Sequence, residues 1–70
     1  MNLKQAKAGD AHIIRAIETG DGDLDAFLFS LGCYAGEPIT VVFHRRDGCV
    51  VAIKDARYSI DNALANAILI

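Results

Sequence analysis

The sequence predicts a small, mainly β protein: a partly closed barrel of about five short strands, with one helix between the first two strands and a helical turn before the last. Three observations carry that prediction. Leu24, Phe27, Leu28 and Leu31 recur at helical spacing, and after Gly32 and the Gly36-Glu37-Pro38 corner the apolar period drops to two, with Ile39, Val41 and Phe43 alternating against Thr40, Val42 and His44. Asp47-Gly48 stands between two strand-like runs, a strong hairpin signal. Short β-branched runs at each end of the chain supply the remaining strands.

The elements follow in order. Leu3 to Asp10 is a lead-in with a turn around Ala8-Gly9-Asp10. Ala11 to Ile17 is the first strand, and its apolar side chains on both parities suit a strand covered on both sides or carrying a bulge. Thr19 to Asp23 is loop, with Asp21 or Asp23 placed to cap the helix and to favour the positive end of its dipole. The helix stripe Leu24, Phe27, Leu28 and Leu31 is expected to plug one opening of the barrel, and Gly32 ends the helix in a left-handed conformation. Strands Ile39 to Arg46 and Cys49 to Lys54 pair antiparallel through a two-residue Asp47-Gly48 turn, which sets Arg46 opposite Cys49 and His44 opposite Val51. Asp55-Ala56 interrupts, Arg57 to Ile60 is the fourth strand, Asp61 caps a helical turn through Asn66, and Ala67 to Ile70 closes the barrel. Closure also limits exposed edges.

At 70 residues the chain forms one domain, residues 1–70, with a thin stability margin, since a protein of this size buries only about 60% of its unfolded surface. A hydrophobic fraction of 53% with a single Pro argues for a folded globule. Seven basic against nine acidic residues give a net charge of -2, which is no footprint for nucleic acid. No apolar run approaches the roughly 20 residues that span a bilayer, and the amino terminus has no signal-peptide core, so direct membrane insertion is not expected and a cytoplasmic location is. Cys33 and Cys49 are the only cysteines and are expected to remain thiols there.

Three blocks resemble the FeoA family of bacterial ferrous iron transport. They are Phe27-Leu28-Phe29-Ser30-Leu31-Gly32 with Gly36-Glu37-Pro38-Ile39-Thr40-Val41, then Val51 to Asp61 with its Lys54-Asp55-Ala56-Arg57, then Ala65-Asn66-Ala67-Ile68-Leu69-Ile70. Two positions depart from the pattern: Ala35 where the family usually has Pro, and Asp25-Ala26 where it often has a basic residue. The resemblance implies an SH3-like barrel and a non-catalytic accessory role at the cytosolic face of the inner membrane, docking on or modulating FeoB, the iron permease with a cytosolic GTPase domain. Similar barrels close iron-dependent repressors, a use that needs DNA-binding helices this sequence lacks. The alternatives are a metal-responsive regulatory barrel that dimerises, so that a second copy of the chain is the partner, and a peptide-binding SH3-like module.

Each candidate site residue also has a plain structural role. Phe29 lies about 140° around the helix from Leu24 by the helical period, off the core stripe, and Tyr34 follows in the corner; together they suit a partner-binding patch. Arg45 and Arg46 flank the hairpin tip, where the bland reading is a solvated turn and the sharper one is an arginine offered in trans to the GTPase. His44 and Cys49 are the candidate metal ligands, near neighbours on a cross-strand diagonal; with only two ligands, a transition metal such as Fe2+ or Zn2+ would be held weakly. His12 and Cys33 are the other metal-capable side chains, and no spacing brings them to that pair. Asp21-Gly22-Asp23-Leu24-Asp25 imitates the start of a calcium loop, but Ala26 and Gly32 stand where its turn Gly and bidentate Glu are required. No nucleophile elbow or phosphate loop is present, so no catalytic residue is assigned.

Overall fold

The computed structural model describes all 70 residues. Its elements are a 3-10 turn at Leu3–Gln5, β1 (Ala11–Ile13), β2 (Ala16–Ile17), α1 (Gly22–Ser30), β3 (Pro38–His44), β4 (Gly48–Ile53), β5 (Ala56–Asp61), α2 (Asn62–Ala67) and β6 (Ile68–Leu69). β1, β3, β4 and β5 form one antiparallel sheet in that order, and β2 pairs with β6 in a second. Between the two sheets lies a core of 14 buried residues that includes Leu3, Ile14, Leu28, Ile39, Val41, Val51 and Ile68.

The single strand expected from Ala11 to Ile17 is two strands in two sheets. The chain changes sheet at Ile14 and Arg15: the Ile14 amide donates to the Glu37 carbonyl at 2.9 Å, while the Arg15 amide donates to the Leu69 carbonyl at 2.7 Å. The corner accounts for the apolar pattern only in part: Ala16 and Ile17 beyond it are half-buried, but Ile13 before it is 56% exposed. Ile14, at the corner, is 1% exposed.

The hairpin register also differs from the expectation. Val41 pairs with Val51, but Phe43 pairs with Val50 and His44 with Cys49, because Val42 is an extra residue on β3. A bulge inserts one residue and reverses the facing of all that follow. Phe43 therefore leaves the inward set of Ile39 and Val41 and is exposed, with the Arg45 guanidinium 5.4 Å from its ring centre. The loop closes with the Arg45 amide donating to the Gly48 carbonyl at 2.7 Å, so Arg46 and Asp47 form the tip and Gly48 already belongs to β4. Gly48 is needed there for space: a Cβ would run into the Ile60 carbonyl oxygen and lie 2.9 Å from the Asp61 Cα.

α1 begins as its residues require. The Asp21 carboxylate accepts from the amides of Asp23 and Leu24 at 3.0 and 3.2 Å, and Thr19 braces the same turn by accepting from the Asp21 amide and donating to the Asp25 carboxylate. A cap of this type contributes about 1 kcal/mol. At the other end Gly32, at φ +89°, donates to the Phe29 carbonyl, and the Cys33 amide donates to the Leu28 carbonyl. That is a Schellman closure, with Leu28 and Cys33 both buried as its apolar contact.

The expected plug is only partly formed. Leu28 alone is fully buried, Leu24 and Leu31 are half-buried, and Phe27 is 55% exposed. On a 3.6-residue helix Phe27 and Phe29 stand about 100° to either side of Leu28, so a helix anchored through Leu28 leaves both rings toward water. α1 thus lies on the outside of the barrel. α2 packs more closely on the barrel: Asp61 caps it through the Leu64 amide at 2.8 Å, and Ala65 and Ala67 are buried while Ala63 and Asn66 face outward.

Candidate functional site

The corner after α1 assembles the most organised surface of the molecule. The Glu37 amide donates to the Tyr34 carbonyl at 3.1 Å, and Gly36 between them has φ +94°, the geometry of a type II turn with glycine at its third position. The Gly36 amide donates to the Ile14 carbonyl at 2.8 Å, which ties this turn to the place where the first strand changes sheet. Tyr34 is thereby fixed against the end of α1, and its ring meets that of Phe29 with centroids 4.7 Å apart and planes tilted by 32°. Phe29 remains 64% exposed.

Lys54 completes this surface from the end of β4, the strand paired with β3. β4 ends at Ile53, and the register Ile53 opposite Ala56 leaves Lys54-Asp55 as a two-residue turn, with Lys54 at φ +54°. A left-handed conformation is uncommon outside glycine, asparagine and aspartate. It directs the lysine back over the corner: Nζ lies 3.2 Å from Glu37 Oε2 and 5.6 Å from the centre of the Tyr34 ring. The aliphatic end of the side chain covers Gly32, where a Cβ would come within 2.8 Å of the Lys54 Cε. The Lys54 ammonium, helped by the Tyr34 hydroxyl, lowers the Glu37 pKa from its ordinary value, and Glu37 in turn raises that of Lys54. A shallow hollow lined by Phe29, Ser30, Leu31, Gly32, Tyr34 and Lys54 opens beside these groups.

Arg45 and Arg46 do not join this site. β3 starts beside the corner and ends at the hairpin, and β4 runs back to Lys54, so the arginines stand at the opposite end of the β3–β4 ladder, roughly 20 Å away at about 3.3 Å per strand residue. The four partner-binding candidates therefore divide into two separate surfaces. Phe27, expected in the core, is the exposed aromatic that helical spacing alone concealed. Lys54 and Glu37 carry no local signal of their pairing, which depends on a hairpin that reverses the chain between them.

The metal candidates are brought opposite one another but not into a site. The bulge makes His44 and Cys49 direct cross-strand partners, in place of the expected diagonal. His44 Nε2 is committed to the Ala6 carbonyl at 2.6 Å, and the Cys49 thiol is 1% exposed, with burial raising its pKa. Burial pushes the Cys33 thiol up to about 11. Both cysteines are unpaired. No group of three or more His, Cys, Asp or Glu side chains converges anywhere in the molecule, so these residues do not fit a transition metal that needs three or four protein ligands.

A mainly β chain of six strands and two helices, with one helix inserted after the second strand and a short one before the last, defines the class as an SH3-like barrel. The chain belongs to the FeoA family: the FeoA domain model matches residues 1–70. It is similar to an iron uptake regulatory protein (FeoA) at 25% identity and a TM-score of 0.85, over 97% of this chain and 91% of that one. It is also similar to an iron(II) transport protein A from Clostridium thermocellum, at 26% identity and a TM-score of 0.86, where 97% of this chain spans 43% of the other. A Stenotrophomonas maltophilia FeoA complexed with zinc, described as a prokaryotic SH3 domain protein and as a candidate ferrous iron transport activating factor, shares the fold at 15% identity and a TM-score of 0.85, over 99% and 87% of the two chains. A comparison with curated proteins found no match. The family is linked to ferrous iron transport and comprises small accessory domains. No helix is long and apolar enough to cross a membrane.

Proposed function

We propose that this protein is a non-catalytic, cytoplasmic accessory factor of ferrous iron uptake that docks on the cytosolic part of a FeoB-like permease and modulates it. The observation that carries the proposal is the outward presentation of α1, with Phe27 and Phe29 exposed on either side of its buried anchor and Phe29 held against Tyr34. Aromatic side chains are enriched in protein interfaces, and exposing them costs stability unless a partner covers them. The turn, the Schellman closure and Lys54 fix this patch rigidly, so little ordering entropy is lost on docking. Membership of an iron-transport family supplies the class of partner, and recruitment to the cytosolic face of the membrane follows from docking on a membrane permease.

The test is binding of the whole protein to the cytosolic fragment of a FeoB-like permease, with and without GTP. Replacing Phe27 and Phe29 together with Ser should weaken binding at least tenfold while leaving circular dichroism and the unfolding midpoint close to the parent, since both rings are already exposed. Unchanged binding by that folded variant would remove α1 from the interface and direct attention to Arg45 and Arg46. If Arg45→Ala and Arg46→Ala in turn leave GTP hydrolysis by the partner unchanged, a role for those arginines in the GTPase is excluded.

A further inference from the structure

β5 is the edge strand of the larger sheet, and no strand pairs with its outer side. It pairs with β4 in unbroken register over six residues, from Ile53 opposite Ala56 to Gly48 opposite Asp61, with no bulge and no Pro. Ile53 and Ala56 close a two-residue hairpin, so Ala56, Tyr58 and Ile60 exchange their hydrogen bonds with β4, and the amides and carbonyls of Arg57, Ser59 and Asp61 face outward. Natural edges are shielded by bulges, prolines, covering loops or repeated like charges. β5 has instead one basic and one acidic residue, Arg57 and Asp61, both exposed and placed symmetrically about Ser59.

The geometry points to a second copy of this chain as the occupant of that edge, added antiparallel across a two-fold axis at Ser59. The backbone pattern allows only registers that pair outward-facing residues with each other. Centred on Arg57, the pairing would oppose two arginines. Setting Arg57 against Ser59 of the second copy would bring Asp61 against Asp55. Centred on Ser59, it sets Arg57 opposite Asp61 of the second copy, and by symmetry the converse, so opposite charges meet on both sides of the axis. The same register sets Tyr58 opposite Ile60 of the second copy on the other face. Ser59 exchanges amide-to-carbonyl bonds with its own counterpart, and the two four-stranded sheets become one continuous eight-stranded sheet. Arg57 is in no ion pair within the chain, the only one being Lys54 with Glu37, and Asp61, whose Oδ1 accepts from the Leu64 amide to cap α2, has its second carboxylate oxygen for the contact.

Sedimentation equilibrium of the untagged protein, carried to roughly millimolar concentration so that even an association with a millimolar dissociation constant is populated, measures the assembly. Dimer is expected to accumulate with concentration and to weaken with added salt, and Arg57→Asp, which turns both charge pairs repulsive, should weaken association about tenfold or more while circular dichroism stays native. Ser59→Cys provides a readout independent of affinity. Directly opposite, hydrogen-bonded strand residues have Cα atoms about 5.5 Å apart, within disulfide range. Under mild oxidation that variant should form a covalent dimer at least about tenfold faster than Ser30→Cys, a likewise exposed serine on α1, and the buried Cys33 and Cys49 do not compete. A monomer at millimolar concentration overturns the proposal, as does wild-type association by Arg57→Asp or equal cross-linking of the two cysteine variants.

Discussion

Lys54 is the residue in which conformation, charge and packing meet. Its left-handed backbone is a local cost, offset by what the side chain reaches: the Glu37 carboxylate, the Tyr34 ring and the surface of Gly32. Glu37 has its folded pKa lowered, so its contribution is present above the ordinary glutamate value and is lost as the pH falls through the lowered one. Lys54 has its folded pKa raised, so its contribution is complete below the ordinary lysine value and is lost as the pH rises through the raised one. The difference in unfolding midpoint between the parent and Glu37→Gln should therefore be flat from neutral to moderately alkaline pH and should close toward both extremes. Lys54 is exposed and Glu37 is partly open to solvent, so the plateau should be small and should shrink in high salt. A difference that persists unchanged into strong acid would show that the substitution acts through packing and not through the ion pair.

At the scale of elements, what local pattern could reveal and what it could not divide along a physical line. The Asp21 cap, the Gly32 stop and the Asp61 cap all depend on contacts within a few residues, and each stands where the side chains predict. The break at Ile14 and Arg15 and the bulge at Val42 depend instead on which distant carbonyl accepts each amide, and neither leaves a local mark beyond apolar residues on both parities. Phe27 falls on the helical stripe by spacing, yet spacing cannot say how deeply a helix sits on its barrel. For the candidate site this meant that Phe29 and Tyr34 could be read from sequence, whereas Phe27, Lys54 and Glu37 could not. The turn at Tyr34–Glu37 offers a test of how well its local geometry is understood. Ala35 occupies the second position, where Pro is favoured, and its amide takes part in no backbone hydrogen bond of the turn. Ala35→Pro should then stabilise the protein by about 0.4–1 kcal/mol through the unfolded chain. For a domain of this size that is a rise in melting temperature of roughly 2–8 °C, readable by calorimetry. A fall would mean that Tyr34 or Ala35 departs from type II geometry in solution.

For the molecule as a whole, the first residues of the chain belong to the core. Leu3 is fully buried and Ala6 is 3% exposed, Asn2 forms a β-bridge to Leu69, and the Ile70 amide donates to the Met1 carbonyl at 2.9 Å. His44 adds a tie from the end of β3 to the Ala6 carbonyl. The amino-terminal segment thus closes the side of the barrel where α2 packs, and the two chain ends are locked to each other, an outcome that the reading of Leu3 to Asp10 as a lead-in did not anticipate. The consequence for stability is large because the total is small. At about 0.05–0.15 kcal/mol per residue, 70 residues supply roughly 4–10 kcal/mol. Truncating a fully buried leucine to alanine costs about 2–5 kcal/mol in transfer and cavity terms together. Leu3→Ala should therefore remove a large share of the folding free energy and shift the urea midpoint strongly downward with little change in slope. A variant that loses less than about 1 kcal/mol would place the amino-terminal turn outside the cooperative unit, and amide exchange at Ala6 and Ile70 would then be fast in the parent protein as well.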